Sequence, residues 1–299
     1  MSKKVKKSRF RKRYIITALI FMYLVFCQSC MMMRTSSKKT QTYFNKAKVA
    51  YTDSTMTFDD YKLHYIETGK PDAPTLFFVH GSPGSWDAYK EYLTDSLLLK
   101  KYRMIAVDRS GFGYSNFREA QNLDTQAKRL VSFLEVKNNQ KPTILIGHSM
   151  GGPIIVKMAT INPNIYSHLV VLSGAIDPDA EKPEKWRSIV MKRPLRYLIP
   201  GALRPSNDEL WWLKEDLKFM KEDLKNITSS VTIIHGTKDP LVPYSNVTFM
   251  EKEFINAKSI NVIAIKDANH FIPWEHFATI RDALMAISLD DENSNQSIP

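Results

Sequence analysis

Three features of the 299-residue chain predict an α/β fold, with a mostly parallel central sheet and helices on both faces. Short apolar runs of strand length recur along the sequence, and they alternate with stretches of helical apolar spacing. Most of the runs close directly on polar turns rich in Gly, Asp, Ser and His. Strands that are apolar on both faces belong to parallel sheets covered on both sides, and strand–helix alternation supplies the crossovers.

Each element can be justified in turn. Lys62-Leu63-His64-Tyr65-Ile66-Glu67 alternates and ends at Gly69 and Pro71, which reads as a strand and a turn. Thr75 to Val79 is a continuous apolar strand closed by His80-Gly81-Ser82-Pro83-Gly84-Ser85. Trp86 to Leu99 reads as one helix, with Tyr89, Leu93, Ser96 and Leu97 along one side. Arg103 to Val107 is a second buried strand, closed by Asp108-Arg109-Ser110-Gly111-Phe112-Gly113. A helix is expected from Asn122, because Leu123, Ala127, Leu130, Val131 and Leu134 fall at i, i+4, i+7, i+8 and i+11. Ile144 to Ile146 is a strand that runs into Gly147-His148-Ser149-Met150-Gly151-Gly152, after which Ile154 to Ile161 is helical. Strands follow at Leu169 to Leu172, Val231 to His235 and Ile260 to Ile265, and a last helix carries Phe277, Ile280, Leu284 and Ile287.

The alternation breaks once, between the strand ending near Ser173 and the strand starting at Val231. Its second half predicts a helix, with Ser206-x-x-Glu209 as a capping box and Leu210, Leu213, Leu217, Met220 and Leu224 as the apolar stripe. The first half, 177–205, carries five prolines among Trp186, Ile189, Val190, Leu195, Tyr197, Leu198 and Ile199. It is too apolar for a solvated loop and too proline-rich for a long helix. We expect a small lid over the carboxyl edge of the sheet.

The net charge of +11 invites a nucleic-acid reading, but its distribution excludes one. Eight Lys and Arg residues lie within 1–13, and no acid occurs within 1–30; without those eight, 34 basic residues face 31 acidic ones, a balance of +3. The basicity belongs to a leader and not to a binding face. The apolar core of that leader, Ile15 to Phe26, has the length of a secretory signal rather than of a membrane span. Ser29-Cys30 resembles the cleavage box of bacterial lipoprotein signals, which implies Cys30 as a lipidated new N-terminus, although Cys27 stands where leucine is usual. The expectation is an exported, membrane-attached lipoprotein of a cell envelope, with a retained single-pass anchor and plain secretion as alternatives. The organisation expected is a leader over 1–30, a polar tether over 31–57, a folded domain over 58–289 with the lid at about 177–205, and a disordered tail over 290–299. Both cysteines lie in the leader, so the folded part has no disulfide. No Cys/His cluster has metal-ligand spacing, and neither a metal nor a cofactor is expected.

Ligands in open parallel sheets bind at the carboxyl ends of the strands. Three such ends carry Ser149, Asp239 within Gly236-Thr237-Lys238-Asp239-Pro240, and His270 within Asp267-Ala268-Asn269-His270. A serine hydroxyl needs a neighbouring base to act as a nucleophile. Histidine titrates nearest neutrality, and a carboxylate orients it. Gly147-His148-Ser149-Met150-Gly151 fits a strand–turn–helix elbow that exposes the serine, and the chain order Ser, Asp, His goes with that elbow.

The chain resembles the α/β-hydrolase superfamily in its esterase, lipase and proline iminopeptidase-like branch. The residues that carry the likeness are His80 to Gly84, Asp108 to Ser115, Gly147 to Gly152, His235 to Asp239 and Asn269-His270-Phe271, in family order. The resemblance implies Ser149 as nucleophile, His270 as base, Asp239 as acid, and an oxyanion hole from the backbone N–H groups of Ser82 and Met150. Asp177 is the rival acid, since some members place it after the preceding strand. Asp108 is expected to pin its own loop, His80 to shape its loop, and Asp267 to sit in a turn. Relatives that open epoxides or haloalkanes carry aspartate at the elbow, so Ser149 argues against those activities. The expected activity is hydrolysis of carboxylic esters or related acyl bonds on a small-molecule substrate. Proline iminopeptidase, carbon–carbon hydrolase and perhydrolase activities are alternatives, and so is a non-catalytic binding module. Iminopeptidases read a free amino terminus with lid carboxylates, and Lys185 to Pro205 holds no acid, which disfavours that alternative.

Overall fold

The structure is a computed structural model that describes residues 3–289. Eight strands form one sheet: β1 (Tyr51–Thr57), β2 (Lys62–Gly69), β3 (Thr75–Val79), β4 (Arg103–Val107), β5 (Thr143–His148), β6 (Tyr166–Leu172), β7 (Ser230–Gly236) and β8 (Ser259–Ile265). Their spatial order is β1-β2-β4-β3-β5-β6-β7-β8. β2 runs antiparallel to β1 and to β4, and every pairing from β4 to β8 is parallel. β3 is the central strand, and Val79 at its carboxyl end aligns with Val107 of β4 on one side and Gly147 of β5 on the other. The chain runs outward from β3 to β4 and returns across β3 to β5, so the strand order reverses there and opens a crevice beyond Val79 and His148.

The parallel strands are buried on both faces. Phe77, Val79 and Leu145 face one core, which is covered by the helices Leu123–Val136, Gly151–Ile161, Leu203–Lys221 and Ser245–Glu253. Leu76, Phe78, Ile144 and Ile146 face the other, covered by the 86–101 segment and the helix Phe277–Met285. The helix expected from Asn122 is Leu123–Val136, and the Asn122 side chain caps it by accepting from the Thr125 N–H at 3.0 Å.

Three expectations are corrected. Residues 86–99 do not form one helix. Two short 3₁₀ turns, Trp86–Tyr89 and Tyr92–Thr94, precede a helix over Ser96–Lys101. The Asp95 carboxylate accepts from the N–H groups of Leu97 and Leu98 at 2.9 Å, which starts a new helix and breaks the old phase. The capping box at Ser206-x-x-Glu209 also fails. The helix begins at Leu203 and puts Pro205 in its first turn, where the missing N–H costs nothing. Ser206 and Glu209 are buried and turned to tertiary partners instead.

The third correction concerns 31–57, read as a polar tether. Ser36 caps a helix over Ser37–Ala47, and β1 follows as an edge strand. Thr40 and Phe44, four residues apart on one helix face, are buried; the Phe44 ring stacks on Tyr51 at 4.3 Å and on Trp86 at 6.0 Å. The helix is polar on all its other faces, so composition does not separate it from a solvated linker. Upstream, one helix spans Lys3–Ser29. The expected lid region holds a short helix over Trp186–Val190 and a turn over Leu195–Leu198. The tail 290–299 lies outside the described residues.

Candidate active site

Ser149 occupies the apex between β5 and the helix Gly151–Ile161, with φ of +53° in the left-handed region. For a non-glycine residue that conformation costs on the order of 1–3 kcal/mol and persists only where the surroundings impose it. Here they do. The Ser149 N–H donates to Leu172 O at 3.0 Å, and Ser149 O accepts from the Gly152 N–H at 3.0 Å. Glycine is required two positions either side. A Cβ on Gly147 would lie 2.3 Å from Gly151 O, and one on Gly151 would lie 2.1 Å from Val79 O. Met150 follows, buried, at the start of the helix, whose first N–H groups have no partner within the helix.

His270 and Asp239 meet across the ends of β7 and β8. His270 Nδ1 lies 2.7 Å from Asp239 Oδ2, while Asp239 Oδ1 accepts from the N–H groups of Leu241 and Val242 at 2.9 and 2.8 Å. Burial works against the Asp239 charge, but the bonds from His270, Val242 and Leu241 outweigh it and hold this carboxyl below its ordinary range. A carboxylate at Nδ1 directs the ring's Nε2 away from Asp239. The rival acid is engaged elsewhere: Asp177 Oδ1 accepts from the Asp179 N–H at 2.9 Å. Asp267 sits in a turn with φ of +58°.

Two other histidines near the site, His148 and His80, brace its loops. His148 Nε2 bonds His270 O at 3.0 Å, and burial drives its pKa down to about 3, so it is a neutral donor that braces the loop carrying His270. His80 is fully buried and held neutral by burial and by Arg109; its Nδ1 bonds Gly81 O at 2.7 Å and its Nε2 accepts the Arg109 N–H at 3.0 Å.

Sequence reasoning missed the device that holds the loop after β3. Arg109 is fully buried, and its guanidinium donates to His80 O at 2.8 Å, Gly81 O at 3.0 Å and Gln126 Oε1 at 2.6 Å. The same group makes two bonds to the Glu209 carboxylate, at 2.8 and 2.9 Å. Two carbonyls on one side of Ser82 are thereby fixed, and on the other side Ser82 Oγ donates to Ser206 Oγ at 2.8 Å. A charged residue at the end of an apolar strand is the one local signal, because such a residue must find a buried partner. Glu209 lies a hundred positions away, with nothing in the sequence to join the two. Asp108 pins its own loop as expected, accepting from the N–H groups of Trp86 and Tyr114 at 2.8 Å and bonding His64 Nδ1 at 2.8 Å.

Ser149, His270, Ser82 and Met150 line one cavity of about 1150 Å³. Its outer wall includes Met33 and Arg34 from the segment before the helix Ser37–Ala47, and Glu181, Glu184 and Arg187 from the expected lid. The acid-free stretch 185–205 is therefore not the whole of that wall, since two glutamates just before it face the cavity. Glu184 is paired with Arg187 at 2.6 Å. Burial raises the Glu181 carboxyl, against the pull of Lys214. Among the described residues, no group of three or more His, Cys, Asp or Glu side chains is placed to hold a metal ion.

Residues 74–200 match the family described as alpha/beta hydrolase fold. The chain is similar to the uncharacterized hydrolase YugF of Bacillus subtilis (strain 168), 26% identical over 259 residues that cover 73% of this chain and 91% of that protein. It is also similar to epoxide hydrolase 4 of Mus musculus, 28% identical over 115 residues, which span 38% of this chain and only 31% of the relative. Among solved structures, a membrane phospholipase A described as a bacterial virulence factor superposes with a TM-score of 0.62 at 18% identity, covering 96% of this chain and 100% of that one. An esterase from Exiguobacterium antarcticum gives 0.64 at 18% identity, over 78% and 98% of the two chains. Both structural likenesses are of fold.

Proposed function

The chain belongs to the α/β-hydrolase superfamily, and from that premise we propose that it is a serine hydrolase cleaving carboxylic esters or related acyl bonds. The observation that carries the reading is the 2.7 Å His270–Asp239 bond beside a strained Ser149 in one cavity. His270 Nε2 takes the Ser149 proton, and the alkoxide attacks the substrate's acyl carbon. The oxyanion that develops is received by the N–H groups of Met150 and Ser82; each such donor is worth about 10²–10³ in rate. The leaving alkoxide takes its proton from His270, which leaves an acyl group on Ser149. Water then gives a proton to His270 and attacks the acyl-enzyme, the acid departs, and Ser149 is regenerated. The chemistry needs no metal or cofactor. The epoxide hydrolase likeness is not carried over, because the elbow holds Ser149 where those enzymes carry aspartate.

Cavity glutamates support a second reading. Glu181 and Glu184 supply the lid carboxylates that an iminopeptidase-like aminopeptidase uses to hold a free amino terminus. A fluorophosphonate probe followed by a panel of esters and aminoacyl amides tests both. Labelling of Ser149 with ester turnover supports the first reading, and preference for aminoacyl amides supports the second. No labelling of the folded protein overturns both in favour of a binding module.

We also infer attachment to a membrane through the N-terminal region, on an exported chain. The basic run of 1–13 before an apolar stretch supports it. Among the described residues no helix is long and apolar enough to cross a membrane, and Cys30 is exposed.

A further inference from the structure

The end of the N-terminal helix is bonded into the lid. Tyr23 Oη donates to Leu198 O at 2.9 Å, Gln28 Nε2 donates to Tyr197 O at 3.1 Å, and the Gly201 N–H donates to Cys27 O at 3.1 Å. Cys27 is fully buried there, with its thiol 3.2 Å from Leu198 O, and Arg118 reaches Gln28 Oε1 at 3.0 Å. Contacts of this kind fix 23–29 as part of the folded domain, unlike a segment removed before Cys30.

Ahead of that junction the helix is largely exposed among the described residues. Its residues from Tyr14 to Phe26 are almost all large and apolar around the whole circumference, and Ile15, Leu19, Phe21 and Val25 are 47–67% exposed. A helix that is apolar all round belongs in a core or in lipid. It packs on the turn Leu195–Leu198, which in turn meets the short helix carrying Trp186 and Ile189, 51% and 55% exposed. The three pieces adjoin in series and each exposes large apolar side chains, which are clustered here and not scattered singly as on an ordinary soluble face.

The charge around this surface names its occupant. Eight basic residues lie within 1–13, ahead of the apolar stretch, and Lys185, Lys192 and Arg193 are exposed beside the lid pieces, whereas Arg187 and Arg196 are paired with Glu184 and Asp208 and Arg204 is buried. Apolar side chains with a basic stretch at one end and exposed cations on the lid fit an anionic phospholipid surface. The thirteen residues from Tyr14 to Phe26 span about 20 Å at 1.5 Å per residue, short of the roughly 30 Å acyl core. We propose that the retained N-terminal helix and the 186–198 lid face form one docking surface for an anionic phospholipid bilayer, with the Ser149 cavity opening at its edge. Met33 and Arg34 line that cavity, and Met33 is three residues from Cys30, at most about 11 Å of chain. Esters dissolved in the bilayer are then the substrate class that reaches Ser149; this part rests on the hydrolase reading above.

The test uses the full chain with phosphatidylcholine vesicles, with or without phosphatidylglycerol, some bearing brominated acyl chains. The expected result is flotation about ten-fold stronger with the anionic lipid, and bromine quenching of tryptophan fluorescence that is reduced in Trp186→Phe. Trp186→Glu/Ile189→Glu should cut turnover of a bilayer-dissolved ester by about ten-fold and leave a short soluble ester unaffected. Intact mass of the membrane-extracted protein should include residues 1–29. Equal flotation on both vesicles, unaltered quenching in Trp186→Phe, a mass beginning at a lipidated Cys30, or a detergent-stable dimer that does not float would overturn the surface. Wild type that turns over no ester would overturn the hydrolase reading alone, and flotation and quenching would still decide the surface.

Discussion

The cavity has two walls, and they are built on different principles. The inner wall, with Gly81, Ser149 and His270, hangs from the ends of β3, β5 and β8, and backbone groups and buried charges hold each part. The outer wall, with Met33, Arg34, Glu181 and Glu184, comes from segments outside the sheet, and its ion pair Glu184–Arg187 has a half-exposed carboxylate. Chemistry demands sub-ångström placement, which rigid strand ends supply. Access and substrate choice tolerate a softer wall. On the proposed hydrolase reading, the inner wall sets what reaction occurs and the outer wall sets what arrives.

The sharpest break of that comparison is at the inner wall. Ser149→Ala should lower kcat by about 10⁶ with fold and outer wall intact, since loss of a triad nucleophile costs that much elsewhere; steady-state kinetics with circular dichroism would measure it. Asp239→Asn should lower kcat by about 10⁴ through the wrong His270 tautomer, and Asp177→Asn should be silent. A crippling Asp177→Asn beside a silent Asp239→Asn would move the acid. Arg109→Met leaves the Glu209 carboxylate buried and unpaired, which should cost about 3–5 kcal/mol in urea unfolding.

The pH dependence of His64 probes the frame behind the inner wall. Burial of its imidazole opposes the charge, but Asp108 and Asp53, each 2.8 Å away, outweigh it and raise its pKa. With the folded pKa above the ordinary value, the stabilisation is complete below about pH 6.5 and is lost as pH rises through the folded pKa. The gap in Tm between wild type and His64→Gln should accordingly be widest at acidic pH and narrow as the pH rises. The smallest effect belongs to the outer wall, where Glu184→Gln should change stability by less than about 1 kcal/mol, as exposed pairs do. A larger loss would mean that this wall is as rigid as the other.

Legibility followed the same division. Seven of the eight strands are legible in the sequence, six as apolar runs and β2 by its alternation, and the candidate reactive residues lie in the turns after three of them. β1 was hidden because it is an edge strand with a mostly exposed, polar pattern, and its helix shows only Phe44 and Thr40 to the core. Asp95 divided a segment whose apolar spacing suggested one helix. Glu181 and Glu184 lie in the expected lid but ahead of its acid-free part, 185–205, and only the folded chain places them on the cavity wall.

By itself the sequence determined seven strands of the sheet, the elbow at Ser149, and the order in which Asp239 and His270 arrive. Burial of both faces of a parallel strand and the tight passage at Gly147 and Gly151 leave local marks that periodicity and glycine positions reveal. The tertiary structure alone decided that Asp239 and not Asp177 bonds His270, that Arg109 and Glu209 lock the Ser82 loop, and that residues 23–35 reach the lid and the cavity. Those are pairings between distant charges, hydroxyls and carbonyls, and such groups read locally as solvated until folding removes the water.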